Sequence, residues 1–219
     1  MTIATAEQPA GLKRKRRSQA ERREEAERLM LDAAVRIVAE RGLDEFTLAE
    51  VGETAGYSSG LPAHYFRSKN ELIAAIAGHI GDWFFAGLRK RAPRRPGLNS
   101  LVGGAEFYFD AAGDNPVMMR ALHTVLAGAL HKPAVAAAVE TLNRGSADAI
   151  EADMRAGIDS GEIHRGIDPR TEAVLVLAAM RGIIAQWLID PADVDLAAVR
   201  PAFIASLRRR LRRQRRTDA

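Results

Sequence analysis

The 219-residue chain has no cysteine, which excludes disulfides, thiolate-bound zinc, iron–sulfur clusters and thiol nucleophiles. Long apolar runs are also missing. The stretch Ala173 to Met180 is cut by Arg181, well short of the ~20 residues that a membrane helix needs. Lys13 to Arg17 is basic, but no apolar segment of ~7–15 residues follows it, so it does not read as a secretory signal. Catalytic signatures are absent too: no G-x-S-x-G, Walker loop, G-x-G-x-x-G or H-E-x-x-H occurs. The five histidines (His64, His79, His123, His131 and His164) form no i, i+4 pair for a metal. The expectation is a non-enzymatic protein without cofactor or metal, kept off the membrane and in a reducing cytoplasm.

What the chain does have is charge at its ends. Net charge is only +4, yet residues 13–17 (KRKRR) and residues 208–216 (RRRLRRQRR) are strongly basic, which leaves the rest acidic. Basic ends on an acidic body suit a polyanion partner addressed from the ends. Solvated tails would look the same by charge alone.

Helix signals recur along the whole chain. Ser18-Gln19-Ala20-Glu21 reads as a capping box opening a helix that runs to about 41, where Gly42 stops it. Thr47-Leu48-Ala49-Glu50 opens a second helix, with Phe46 and Val51 placed as a hydrophobic staple and Gly56 as its stop. A third short helix follows Tyr57-Ser58, and Ser68-Lys69-Asn70-Glu71 opens a fourth that ends before Pro93. A long helix, a two-turn helix, a tight glycine turn and another short helix describe a helix-turn-helix unit. Its second helix enters the major groove, and small polar residues such as Ser58-Ser59-Gly60 suit that approach to base edges.

These residues carry a resemblance. The run F-T-L-A-E-V-G-E-T-A-G-Y-S-S-G-L-P-A-H-Y-F-R-S-K-N-E-L, Phe46 to Leu72, resembles the DNA-binding segment of the TetR family of transcriptional regulators. The resemblance implies DNA-facing roles for Thr47, Ser58, Ser59, Gly60, Leu61, His64, Tyr65 and Lys69. Thr47 and Lys69 sit at helix starts, where donors meet phosphate. Ser59 and Leu61 are within reach of base edges or a thymine methyl. The basic arm, including Arg14 and Arg16, would lie along or in the minor groove. Three positions depart from the family pattern. Gly52 stands for an alanine and would weaken the second helix by ~1 kcal/mol if exposed. Ala63 replaces a phosphate-contacting tyrosine. Pro62 is harmless only if it falls in the first turn of its helix.

From Leu98 onward breaks delimit helices near 98–112, 116–131, 134–159, 169–189 and 194–213. The helix at 169–189 is apolar nearly all round, so one side should meet its own core and the other a second subunit. Leu175, Ala178, Ala179, Gly182 and Ala185 on that helix, with Val199, Phe203 and Leu207 on the next, are the expected interface of a four-helix homodimer. An effector cavity would draw on Trp83, Phe84, Phe107, Tyr108 and Met118. His123, Met154, Arg181, Gln186 and Trp187 complete that expected set, though aromatic and Met residues at helical spacing also build plain cores. Arg181, a charge within an apolar helix, must find an internal carboxylate or an anionic ligand.

The resulting expectation is an all-α protein. Residues 1–17 form a disordered basic arm, 18–67 a helix-turn-helix domain, 68–207 an effector-binding and dimerisation domain with a connecting helix at 68–91, and 208–219 an Arg-rich tail. Its function would be that of a repressor on an inverted-repeat operator in double-stranded DNA, released by a small, largely apolar effector for which Arg181 favours an anionic group. The alternative is an architectural DNA-binding protein with no effector.

Overall fold

The computed structural model describes residues 18–91 and 95–212, and among these every regular element is helical. The helices are α1 (Gln19–Arg41), α2 (Leu48–Thr54), α3 (Pro62–Tyr65), α4 (Lys69–Lys90), α5 (Leu98–Asp114), α6 (Pro116–Gly128), α7 (Pro133–Asp159), α8 (Pro169–Ile189) and α9 (Leu196–Leu211). The arm with Arg14 and Arg16, and residues 213–219 of the Arg-rich run, lie outside the described residues.

The three capping signals end differently. At α1 the box is complete: Ser18 Oγ accepts the Glu21 N–H at 3.1 Å, and Glu21 Oε2 accepts the Ser18 N–H at 2.7 Å. At α2, Thr47 caps the Glu50 N–H, but the Glu50 carboxylate pairs with Arg41 of α1 instead of reaching back. At α4, Ser68 caps the Glu71 N–H while the Glu71 carboxylate accepts the Arg67 N–H at 2.9 Å, clamping the chain that leaves α3. Side-chain reach thus turns two local caps into ties between elements.

The expected boundary at residue 68 is not a boundary in packing. One continuous core runs from Met30 of α1 to Leu211 of α9. α1 buries Met30, Ala34 and Val38 completely, because it lies against α6 as well as α2 and α4. α4 packs on α7, α7 on α8, and α5 on α9. The tail boundary also moves. Residues 208–211 complete α9: Arg208 donates to Asn99 Oδ1 at 3.2 Å, Arg210 pairs with Glu172, and Leu211 is fully buried.

Among the described residues two helices, α4 and α8, reach the length and mean hydropathy of a membrane span, so the interruption at Arg181 does not separate α8 from one by composition. Both helices contribute one side to the protein's own core: Leu72, Ile73, Ile76 and Ile80 of α4 and Ala173, Val176, Met180 and Ile184 of α8 are buried.

Candidate functional site

The first candidate surface is built on a tight turn. Gly56 adopts φ 80°, and the Tyr57 N–H returns to the Gly52 carbonyl at 2.8 Å. Pro62 falls at the first position of α3, where its missing N–H costs nothing. Gly52 is buried, not exposed, and a Cβ there would meet the Ser58 carbonyl oxygen at 2.6 Å and Pro62 Cδ at 2.9 Å. The departures at Gly52 and Pro62 are therefore one feature, a proline ring seated over a glycine. Ala63 is exposed beside them.

The expected DNA-facing residues divide by accessibility. Thr47, Ser58, Ser59, Gly60 and His64 are exposed. Leu61 is half-buried against the core, so it presents only part of its side chain outward. Tyr65 is held between helices: its hydroxyl donates to the Arg23 carbonyl at 3.4 Å, and the Arg23 guanidinium lies 5.4 Å from the ring centre. Lys69 has an internal role that helix position alone did not reveal. Its ammonium donates to the Asp44 carbonyl at 2.7 Å and sits 4.3 Å from the centre of the Phe46 ring.

The second candidate is a cavity of about 310 Å³ between α4, α5, α6, α7 and α8. Of the ten expected residues it takes Trp83, Phe84, Tyr108 and Arg181 as walls. Phe107 lies behind that wall, its ring 5.1 Å from Phe84. Met118 and Met154 are buried in the core, Trp187 packs partly against it, and Gln186 is exposed with its amide on the Gly182 carbonyl. Helical spacing identifies an apolar stripe but not which part of it borders a void, hence these misses. Asp153 and Met119 also line the cavity, and a carboxylate on a long polar helix and a methionine in a core leave no local signal of it in the sequence.

Arg181 has no carboxylate partner among the described groups around it. Its Nη1 donates to Asn143 Oδ1, and its Nε is buried with no partner. Burial lowers its pKa, opposed by the neighbouring Tyr108 hydroxyl. Tyr108 is pushed up by burial, and His123, 3.5 Å from the Tyr108 hydroxyl, is pushed down to about 4 by burial and then by the Arg181 charge. A histidine held neutral this way stabilises the fold above the unfolded pKa of ~6.5, and that stability is lost as pH falls towards 4. Thermal unfolding of His123→Gln should therefore decline less than wild type between pH 6.5 and 4. Equal slopes in both proteins would contradict it.

Residues 30–76 match the model of the bacterial regulatory proteins, tetR family, and residues 99–214 match that of the BetI-type transcriptional repressor C-terminal domain. The chain belongs to the TetR family of transcriptional regulators. An HTH-type transcriptional regulator BetI from Pseudomonas fluorescens is 31% identical over 110 residues, 48% of this chain and 54% of that protein, so the match spans about half the relative's length. A TetR-family transcriptional regulator from Rhodococcus sp. shares the fold with a TM-score of 0.77 at 20% identity, covering 86% of this chain and 99% of its own. A transcriptional regulator from Saccharomonospora viridis, solved in complex with choline, gives 0.76 at 17% identity, covering 87% and 100%.

Within this TetR-family chain, α4 is not the sole link between the turn-bearing helices and the cavity. Met119 and Leu122 of α6 line the cavity, and α6 also lies along α1. Just beyond α6, Lys132 pairs with Asp44 at 2.7 Å, the residue whose carbonyl holds Lys69. The outer face of α8 is open: Val174 and Leu175 are 51% and 50% exposed, and Ala178 and Ala179 are exposed beside them. Gly182 and Ala185 are partly covered. On α9, Leu207 is buried in its own subunit and Phe203 stacks edge-on against Phe109 at 5.5 Å. Val199 is half-buried, and the exposed side of α9 is instead the small-residue line Ala198, Ala202 and Ala205. The expected stripe on α9 was the inward one, because large apolar residues seek the nearest core.

Proposed function

We propose that this chain is a homodimeric repressor whose operator affinity falls when a small, largely apolar ligand fills the cavity. The observation that carries this reading is the course of α4. Its first turn, through Ser68 and Glu71, clamps the end of the recognition segment, and its second half, through Trp83 and Phe84, walls the cavity. A ligand pressed against that half tilts one rigid helix and moves its start. The α6 contact with α1 and the Lys132–Asp44 pair supply a second lever on the same segment.

Two recognition helices in a twofold dimer must match half-sites ~34–36 Å apart, so a small rotation in each subunit unseats both. A coupling of ~1–3 kcal/mol lowers affinity ~5–150-fold, and operator DNA weakens ligand binding by the same factor. Arg181, lacking a carboxylate, favours an anionic group on the ligand, whereas the Saccharomonospora relative holds the cation choline.

Selection of binding sites from random DNA tests the reading, with an inverted repeat expected and no enrichment expected from an architectural protein. Ser59→Ala should change base preference at symmetric positions by ~1–3 kcal/mol. Lys69→Ala should weaken all sequences alike and, because its ammonium also braces Asp44, lower the melting temperature. A change of base preference in Lys69→Ala but not in Ser59→Ala would misplace the recognition segment.

A further inference from the structure

The cavity has two polar poles of opposite chemistry. At one pole Arg181 of α8 lies beside Tyr108 of α5 and is bonded to Asn143 of α7, with its buried Nε unpartnered. At the other pole Asp153 of α7 accepts the Gly97 N–H at 3.2 Å and is hydrogen-bonded with Ser100 of α5. Asn143 and Asp153 are separated by about 15 Å of helical rise on α7, and Tyr108 and Ser100 by about 12 Å on α5. The two helices bring like poles together, so the polar ends face each other across an apolar middle that includes Phe84, Leu88, Leu101 and Ile150. Ser146 in that middle commits its proton to the Leu142 carbonyl at 2.8 Å.

Resting on the ligand-released reading above, we infer that the effector is an elongated monocarboxylate carrying a hydrogen-bond donor at its far end. The carboxylate meets Arg181, the far donor meets Asp153, and the apolar body lies along α4 and α5. The orientation is set by charge. An ammonium at the first pole faces a guanidinium in a low-dielectric site, and a carboxylate at the second faces a carboxylate. Of the other two arginines on the cavity wall, Arg91 pairs with Asp110 and Arg89 is exposed to solvent. Burial of Asp153 raises its pKa, which further suits it to a hydrogen-bonding rather than a purely ionic role. A separation of about 12–15 Å between the poles suits a chain of medium length with a polar group at each end.

Eight-carbon probes fit that span. Binding of 8-hydroxyoctanoate, octanoate, octanedioate and octyltrimethylammonium to the full-length protein is read by calorimetry and by fluorescence of Trp83, which lines the cavity. The expected order is 8-hydroxyoctanoate tightest, octanoate about tenfold weaker, and the dianion and the cation weaker still. Arg181→Met should weaken both monocarboxylates about tenfold or more, and Asp153→Asn should admit octanedioate. Gly104→Leu tests the location: a Cβ at Gly104 meets only Leu88 Cδ2, at 3.9 Å, so leucine fits the helix and fills the slot. It should abolish binding of every probe while thermal unfolding stays cooperative. Tightest binding by octyltrimethylammonium overturns the anion pole, and equal binding of octanoate and 8-hydroxyoctanoate overturns the far donor. Binding that survives Gly104→Leu places the ligand elsewhere, and failure of all four probes overturns the ligand class. The ligand-released reading fails by a different result, a bound probe that leaves operator affinity unchanged.

Discussion

Gly52→Ala is expected to lower the melting temperature by several degrees and to abolish operator binding, although alanine is the better helix former. Helix propensity alone predicts a gain of ~1 kcal/mol. The opposing contact is with backbone: the new Cβ stands 2.6 Å from the Ser58 carbonyl oxygen, so relief requires the turn itself to move. Overpacking of this kind typically costs ~1–3 kcal/mol, and here the displaced atoms lead directly into Ser59 and Gly60. The function should fall further than the stability, since base contacts depend on where those residues sit. Adding Pro62→Ala removes the ring contact at 2.9 Å but leaves the carbonyl, so rescue should be partial. Thermal unfolding and operator titration of the single and double variants check this. An alanine at 52 with unchanged melting and unchanged binding would mean that α2 and α3 sit further apart than described.

Much of this was legible in the chain. Caps at Ser18, Thr47 and Ser68, stops at Gly42 and Gly56, and proline at the starts of α6, α7 and α8 are local signals, and each helix they bound is present. The helix-turn-helix was readable because its constraint is also local: a tight turn and small residues at fixed spacing. Gly52 shows the limit. Read by propensity it was a weak point in a helix, whereas its actual role depends on a proline ten residues later that folds back onto it. The cavity was less legible still. A void is what packing leaves unfilled between α4, α5, α6, α7 and α8, and no single helix records it. Trp83, Phe84, Tyr108 and Arg181 were found because size or charge marks them, while Asp153 and Gly104 matter only through what lies opposite. Lys69 carried the right charge for phosphate, but only tertiary structure places Asp44 and Phe46 around its ammonium.

Ala179→Glu is expected to convert a homodimer into a folded monomer of 23.8 kDa that no longer binds its operator. The outward face of α8 carries Val174, Leu175, Ala178 and Ala179, and Ile189 at its end is 84% exposed. Small side chains on that face let two helices approach to about 8–10 Å between axes. A twofold axis repeats any substitution on both subunits, so each dimer would bury two carboxylates facing apolar partners. The effective penalty is several kcal/mol for each ion left without a partner, comparable with the whole association energy of a modest interface. In the monomer the same glutamate is solvated, because Ala179 is exposed, so helix content and thermal unfolding should change little. Sedimentation at micromolar concentration reads the mass, and operator titration reads the loss, since two half-sites demand two recognition segments held at fixed spacing. Ala152→Glu, at an exposed alanine of α7, should keep both the dimer and the DNA affinity. A dimeric Ala179→Glu protein with intact operator binding would move the interface off the outer face of α8.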